Sequence, residues 1–375
     1  MINVICGLLF VGFCFCYLTF YQGDFIALIQ HYYSHGRNVS HGIILPALIT
    51  LGLTILGGLI QFFAHIPIRL RALHWVPSFI LLSMLTSIGV GKFTAGDSSH
   101  GWIFYLVTLA VFLIAYYVAL TIQENRSENN SFVVYLWPNL LIFSISCTFL
   151  IFTSNTNRRL HEELRIERAI GEGRWEDAQK RVKQQKQTTA FMSAMYVYAT
   201  NEMGELSTNS QFFQYLTENG SDKLLPSLKD SLRPWNVTAM VREKLGNLPA
   251  TDMNATRYLE YILRDTLATP QVKQWLMTSY LVDRDLPSFT KQLLECYPPL
   301  DSIHHVYTAE DSLPKNYREA LYVYTHQYEH PEATIQDSLL DVQYDQFKLF
   351  NYNLTVPEKI ASDSLSSYWK YYFSR

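Results

Sequence analysis

Ionisable side chains are nearly missing from the first 153 residues. Of the 63 Asp, Glu, Lys and Arg residues in this chain of 375, only nine lie there: Asp24, Arg37, Arg69, Arg71, Lys92, Asp97, Glu124, Arg126 and Glu128. A soluble domain is rarely so depleted over ~150 residues. Cysteine is scarce too. Cys6, Cys14, Cys16 and Cys147 fall in apolar runs, where they read as small packing residues. Cys296 stands alone in the remainder, which excludes a disulfide within that part and any paired-cysteine zinc pattern. Basic excess is lacking as well: residues after Thr153 carry 25 basic and 29 acidic side chains, no footprint for nucleic acid. The chain has no Gly-x-Ser-x-Gly nucleophile turn and no Gly-x-Gly-x-x-Gly dinucleotide turn. Gly89-Val-Gly91-Lys92 is no phosphate loop, because its glycine spacing is wrong and no Ser or Thr follows the lysine. No cofactor and no metal is implied.

What occupies the charge-poor part is apolar sequence in five runs, 2–21, 43–63, 75–93, 102–122 and 132–152. Each approaches the ~20 residues that cross a hydrocarbon core ~30 Å thick. The first run has no basic flank and no small-residue cleavage site after it, so it is expected to be a retained span and not a cleaved signal. The third is diluted by Ser78, Ser83, Thr86 and Ser87. Gly57 and Gly58 in the second invite close helix contact. No acidic or basic residue lies mid-span, which disfavours proton relays, ion-coupled transport and voltage sensing. A lipid-handling site lined by Ser, Thr and Tyr stays open. Between the first two runs, Asp24 to Tyr33 is spaced as a short helix lying on the interface. His31 near its end and His35 just beyond it are four apart but lack a third ligand. Arg69 and Arg71 form a short basic loop before the third run.

Sidedness rests on few charges. An odd span count puts Arg69, Arg71 and Arg126 on the side of the N-terminus and Arg37 and Lys92 on the other, which favours an extracytoplasmic back half. Arg158, Arg159, Arg165 and Arg168 would reverse the count, but long domains translocate largely without regard to charge.

From residue 154 onward the pattern is helical nearly throughout, punctuated by Pro298-Pro299, Pro314 and Pro331. Gly171-Glu-Gly-Arg-Trp175, with Ala178 three residues on, resembles the turn of a tetratricopeptide-type repeat. Helices are expected over 188–202, 254–262, 272–281, 286–296, 317–324 and 335–350. Tyr196, Tyr198, Tyr258, Tyr261, Tyr322 and Tyr324 read as packing between stacked helices more readily than as a groove lining. His326 and His330 do not meet the His-Glu-x-x-His order, and His304-His305 reads as a loop pair.

The run His65-Ile-Pro-Ile-Arg-Leu-Arg-Ala-Leu-His-Trp-Val-Pro-Ser78 and the Phe20-Tyr-Gln-Gly-Asp24 segment resemble an uncharacterised family of bacterial multi-pass membrane proteins. Asn201-Glu-Met-Gly-Glu205 and Leu313-Pro-Lys-Asn-Tyr-Arg-Glu-Ala-Leu321 share that look. The resemblance implies an inner-membrane protein of unknown function with a helical C-terminal domain, and it carries over no catalytic residue. The expected architecture is therefore all-α: a bundle of about five transmembrane helices over 1–153, then a repeat-like, TPR-like solenoid over 154–375. The expected role is a membrane-anchored interaction or scaffold protein whose partners are the bilayer and a protein bound by the helical domain. The alternative is a polytopic membrane enzyme acting on a lipid-linked or glycan envelope substrate. Asp24 is then the candidate acid or metal ligand, although an Asp at that position also serves as a helix start.

Overall fold

The structure is a computed structural model. It describes residues 2–34, 42–64, 66–87, 102–121, 132–216, 224–226, 234–246, 253–264, 269–352 and 367–374. His35, Arg37, Gly89 to Lys92 and Arg126 lie outside these residues. The chain is dominated by α-helix and divides into two compact units, Met1–Leu164 and Arg165–Arg375.

In the first unit, α1 (Ile2–Cys16) continues into a π-helical turn, Tyr17–Tyr21. It is followed by α2 (Gly23–Tyr33), α3 (Ile44–Ala64), α4 (Val76–Thr86), α5 (Trp102–Thr121) and α6 (Phe132–Thr153). Among the described residues, four helical segments are long and apolar enough to cross a membrane: Ile2–Tyr21, Ile44–Ala64, Ile68–Thr86 and Phe132–Thr153. The fifth expected run is α5, whose apolar stretch Ile103–Val118 is shorter than these four.

The third segment departs from the sequence reading. Arg69 and Arg71 do not stand in a loop; Ile68–Trp75 is wound as a 3-10 helix that runs straight into α4. Leu70 leaves helical geometry inside it. Such a break exposes main-chain groups that an apolar surrounding cannot satisfy, so side chains must. Asn139 of α6 does this, as detailed below. The same demand explains Tyr116 OH donating to Ala64 O at 2.9 Å, which satisfies a carbonyl at the end of α3, while Ser78 Oγ donates to Leu53 O of the same helix at 2.9 Å.

Every face of these helices is apolar, so periodicity cannot select the packed one. Close fit does. In α1, Ile2, Cys6, Phe10 and Cys14 recur every four residues and line the core, while Val4, Leu8 and Val11 point outward. Trp75 stacks on Phe10 with ring centroids 4.2 Å apart. Its indole also occupies the place of an absent side chain: a Cβ added at Gly57 would lie 2.5 Å from it. Gly58, one residue on, faces open space. Gly57→Ala is therefore expected to cost ~1–3 kcal/mol by overpacking, while Gly58→Ala is neutral or slightly stabilising through helix propensity. Melting midpoints of the detergent-solubilised variants compare the two, and equal midpoints would contradict this packing. The helix α2 also differs from expectation. Phe25, Ile26, Ala27, Leu28 and Ile29 are all buried, so it is enclosed and does not lie half-immersed on a surface.

The division between units falls within α7 (Arg158–Gly171). The second unit continues with α8 (Trp175–Lys183), α9 (Ala190–Glu202), α10 (Phe213–Leu216), α11 (Val237–Leu245), α12 (Ala255–Leu263), α13 (Pro270–Asp283) and α14 (Leu286–Cys296). After β1 (Val306–Thr308) come α15 (Lys315–Gln327), β2 (Thr334–Gln336), α16 (Ser338–Tyr352) and α17 (Tyr368–Phe373). Neighbours in the chain pack on one another: α8 on α9, then α12, α13, α14 and α15 in succession. In the 171–175 turn Gly173 has φ +73°, a conformation that favours glycine. Trp175 meets Tyr198 edge-on at 5.9 Å, and Ala178 is fully buried. Five of the six singled-out tyrosines are buried in the core; Tyr261 is exposed. A departure from the helical reading is a two-stranded parallel sheet pairing Val306 with Thr334, Tyr307 with Ile335 and Thr308 with Gln336. Ile335, expected in a helix, is thus in a strand, and α16 begins at Ser338.

Two sequence motifs that lie far apart meet here. Asn316, buried at the start of α15, donates from Nδ2 to Leu206 O at 3.5 Å and Asn209 O at 3.3 Å. Its Oδ1 accepts from Ser210 Oγ at 2.5 Å, and its own N–H donates to Ser207 O at 3.1 Å. The 313–321 motif therefore holds the loop that follows the 201–205 motif.

Candidate functional site

Between α5 and α6 the first unit opens a crevice of about 580 Å³. Its wall is Phe104 from α5 with Ser144, Ile145, Thr148, Phe149, Phe152 and Thr153 from α6. The α6 positions repeat at three- and four-residue spacing, which puts them on one helix face. Phe104 lies parallel to Phe149, centroids 6.1 Å apart and planes at 5°.

The crevice ends on a hydroxyl ladder. Thr153 Oγ1 and Ser83 Oγ share a hydrogen bond of 2.5 Å, and Ser83 reaches Tyr105 OH at 3.5 Å. Tyr105 OH is in turn 2.5 Å from Ser87 Oγ. Thr153 also donates back to Phe149 O at 2.8 Å. A second polar set lies nearby in the chain. Gln22, wholly buried just past the π-helical turn, donates from Nε2 to Tyr17 OH at 3.1 Å and Asn155 O at 3.0 Å. Asn155 N donates to Thr86 O at 3.1 Å. These bonds fix the ends of α1, α4 and α6 to one another and so set the geometry of the ladder. The crevice wall can thus take apolar matter along its length and a hydrogen-bonding group at the ladder. Among the described residues it carries no acidic or basic side chain.

Asp24, the candidate acid, is not part of this wall. It stands in the first turn of α2, half-buried, where a carboxylate complements the exposed N–H groups of the helix start. His326 stacks on Tyr322 at 4.2 Å with Nδ1 2.8 Å from Tyr322 O, and His304 pairs with Asp301 at 3.0 Å. Among the described residues no three His, Cys, Asp or Glu side chains gather as metal ligands would. The sequence reading singled out none of Ser144, Thr148 and Thr153. Their signal was present as hydroxyls four and five apart within an uncharged run.

Outside the spans, the carboxylate most displaced from its usual range is Glu319 of α15. Burial pushes its carboxyl up to about 7, against the pull of the Lys315 ammonium at 3.8 Å and of the Tyr368 amide. By contrast, Glu172 is held below the usual range, chiefly by its hydrogen bond from Arg168.

No protein-family model, no curated protein and no solved structure matches this chain.

Proposed function

We propose that this is a multi-pass protein of the bacterial inner membrane that seats a lipid chain in the α5–α6 crevice and carries its repeat-like helical unit as an interaction module. The observation that supports this most is the crevice itself. Its volume lies within the ~300–1,000 Å³ usual for ligand sites. Its wall joins the rings of Phe104, Phe149 and Phe152 and the aliphatic Ile145 to three hydroxyl side chains, with Ile145 and Phe152 exposed on the outside of the unit. A hydrocarbon chain fits such a wall, and the ladder from Thr153 to Ser87 offers partners to an ester or hydroxyl at the chain's polar end. The alternative is an enzyme acting on a lipid-linked or glycan envelope substrate, for which Asp24 in the first turn of α2 is the candidate acid.

A photoactivatable acyl-chain probe in bilayers tests the reading. It is expected to label peptides of α5 and α6, and Thr148→Trp, which fills the crevice, is expected to cut that labelling several-fold. Leu59→Trp on the exposed face of α3 is expected to leave it unchanged. Equal labelling of wild type and Thr148→Trp would sink the idea.

The same proposal places the second unit outside the cytoplasm. Counting α5, whose 20 residues reach ~30 Å as a helix, the chain crosses five times. The short-loop charges then favour a cytoplasmic N-terminus. Alkaline phosphatase fused after Arg375 is expected to be active, and a fluorescent protein that matures only inside is expected to stay dark there. The opposite pair of results reverses the assignment.

A further inference from the structure

The last helix of the chain is bound like a ligand. It is a six-residue helix, too short to be stable by itself, because the first hydrogen-bonded turn is costly to nucleate. Its order must come from what surrounds it, and the surroundings read both its main chain and its side chains. At its N-terminal end the buried Glu319 carboxyl accepts from Tyr368 N at 2.6 Å. At its C-terminal end Arg284 Nη2 donates to Tyr371 O at 2.8 Å and Ser374 O at 2.6 Å. A carboxyl oxygen at the start and the Arg284 cation at the end take up main-chain groups that a helix leaves open, and both belong to the groove. Side chains are read as well. Tyr368 OH donates to Leu281 O at 3.0 Å, Tyr371 OH to Val282 O at 2.5 Å, and Trp369 Nε1 to Glu319 O at 2.8 Å. Trp369 is packed edge-on against Tyr344 of α16 at 5.0 Å, and Tyr371 stacks on Phe213 of α10 at 4.9 Å. Residues i, i+1 and i+3 are buried while Lys370 is only partly so, the periodicity of a helix laid in a groove.

We infer that this groove of α10, α13, α15 and α16 is a peptide-recognition site for a short aromatic helix of the pattern Tyr-Trp-x-Tyr. Ser367–Ser374 fills it as a resident ligand, and the same segment of a second copy of this chain can take its place. Fourteen residues, 353–366, join the segment to α16. Fully extended they would span up to ~48 Å, enough for the segment to leave its own groove. This inference is independent of the lipid crevice and fails or stands without it.

The test uses the full chain in detergent, cut after residue 366, with a fluorescent peptide Ser-Tyr-Trp-Lys-Tyr-Tyr-Phe-Ser-Arg. Saturable binding is expected, weakened at least tenfold when the peptide's Trp is replaced by Ala or when Arg284→Ala is introduced into the protein. The intact chain is expected to bind at least tenfold more weakly than the shortened one, because its own segment competes at high effective concentration. Should the shortened chain fail to fold, the full-length double variant Tyr368→Ala, Trp369→Ala vacates the groove at unchanged length. Absence of saturable binding to whichever vacated variant folds would overturn the proposal. So would binding of equal strength to intact and vacated chains, since the peptide would then sit elsewhere.

Discussion

Replacing Asn139 with Leu is expected to lower the melting midpoint of the detergent-solubilised protein by roughly 5–10 °C, the largest loss of any single change in the first unit. Asn139 is wholly buried in α6, one residue after Pro138. Its Oδ1 accepts from Ala72 N at 2.6 Å, and its Nδ2 donates to Ile68 O at 3.0 Å and Tyr135 O at 2.7 Å. Ala72 and Ile68 both belong to the 3-10 segment, so one amide bridges the irregular helix to the straight one. Leucine keeps the volume and removes the partners. An unpaired buried N–H or C=O costs ~1–3 kcal/mol each, and no water is at hand in an apolar surrounding to replace the amide. The damage should reach Trp75, whose place against Phe10 and Gly57 depends on the same segment. Intrinsic tryptophan fluorescence follows both effects. An Asn139→Leu protein that melts with the wild type would show that the segment holds itself, and would remove the amide from this account.

Asn139 also marks where the sequence stops being legible. The helical spans stood out because charge is missing from long apolar runs, a signal that needs no knowledge of packing. The break before α4 did not stand out. Arg69 and Arg71 read as loop residues because arginine in a span is costly. Here Arg69 lies over the ring of Tyr135, 5.5 Å from its centroid, a contact made by residues 66 apart in sequence. An amide beside a proline within an uncharged run was the available hint of a helix that serves another's backbone. Gly57 was legible as a close-contact residue, but only the structure separates it from Gly58. In the second unit most helices were read from their apolar spacing and prolines, but α11 and the six-residue α17 were not, being short and poor in turn signals. The strands were not, since Val306-Tyr-Thr308 and Thr334-Ile-Gln336 are three residues each and pair across 27 intervening positions. β-Branched residues favour strands, but three residues hold too little periodicity to declare one. The crevice was legible only as a class of lining. Which hydroxyls meet is fixed by the pairing of α4 with α5 and α6, and no local pattern encodes that.

The second unit is expected to lose stability as pH rises from about 4.5 to about 7, and Glu319 is the cause. The carboxyl is buried, so its neutral form is favoured in the fold, with a value of about 7 against 4.5 for an ordinary glutamate. Lys315, the Tyr368 amide and Arg318 favour the charged form without overcoming burial. Between those two values the folded chain holds a proton that the unfolded chain has released, so each step up in pH favours unfolding. Below about 4.5 both states are protonated and the contribution is complete; above about 7 both are ionised and it is gone. The difference amounts to roughly 3 kcal/mol over the window. Because Glu319 accepts from Tyr368 N, hydrogen exchange at the amides of α15 and α17 is the sensitive readout. Exchange there should speed up between pH 5 and pH 8 beyond the intrinsic base-catalysed rise. Glu319→Gln keeps a neutral acceptor of the same shape and removes the titration. Its protection should therefore fall less across the window than that of the wild type and exceed it at pH 8. Every other group is common to both proteins, so the difference between the two profiles belongs to Glu319. A variant whose protection still falls with the wild-type slope would show that Glu319 is already ionised in the fold and that another group carries the pH dependence.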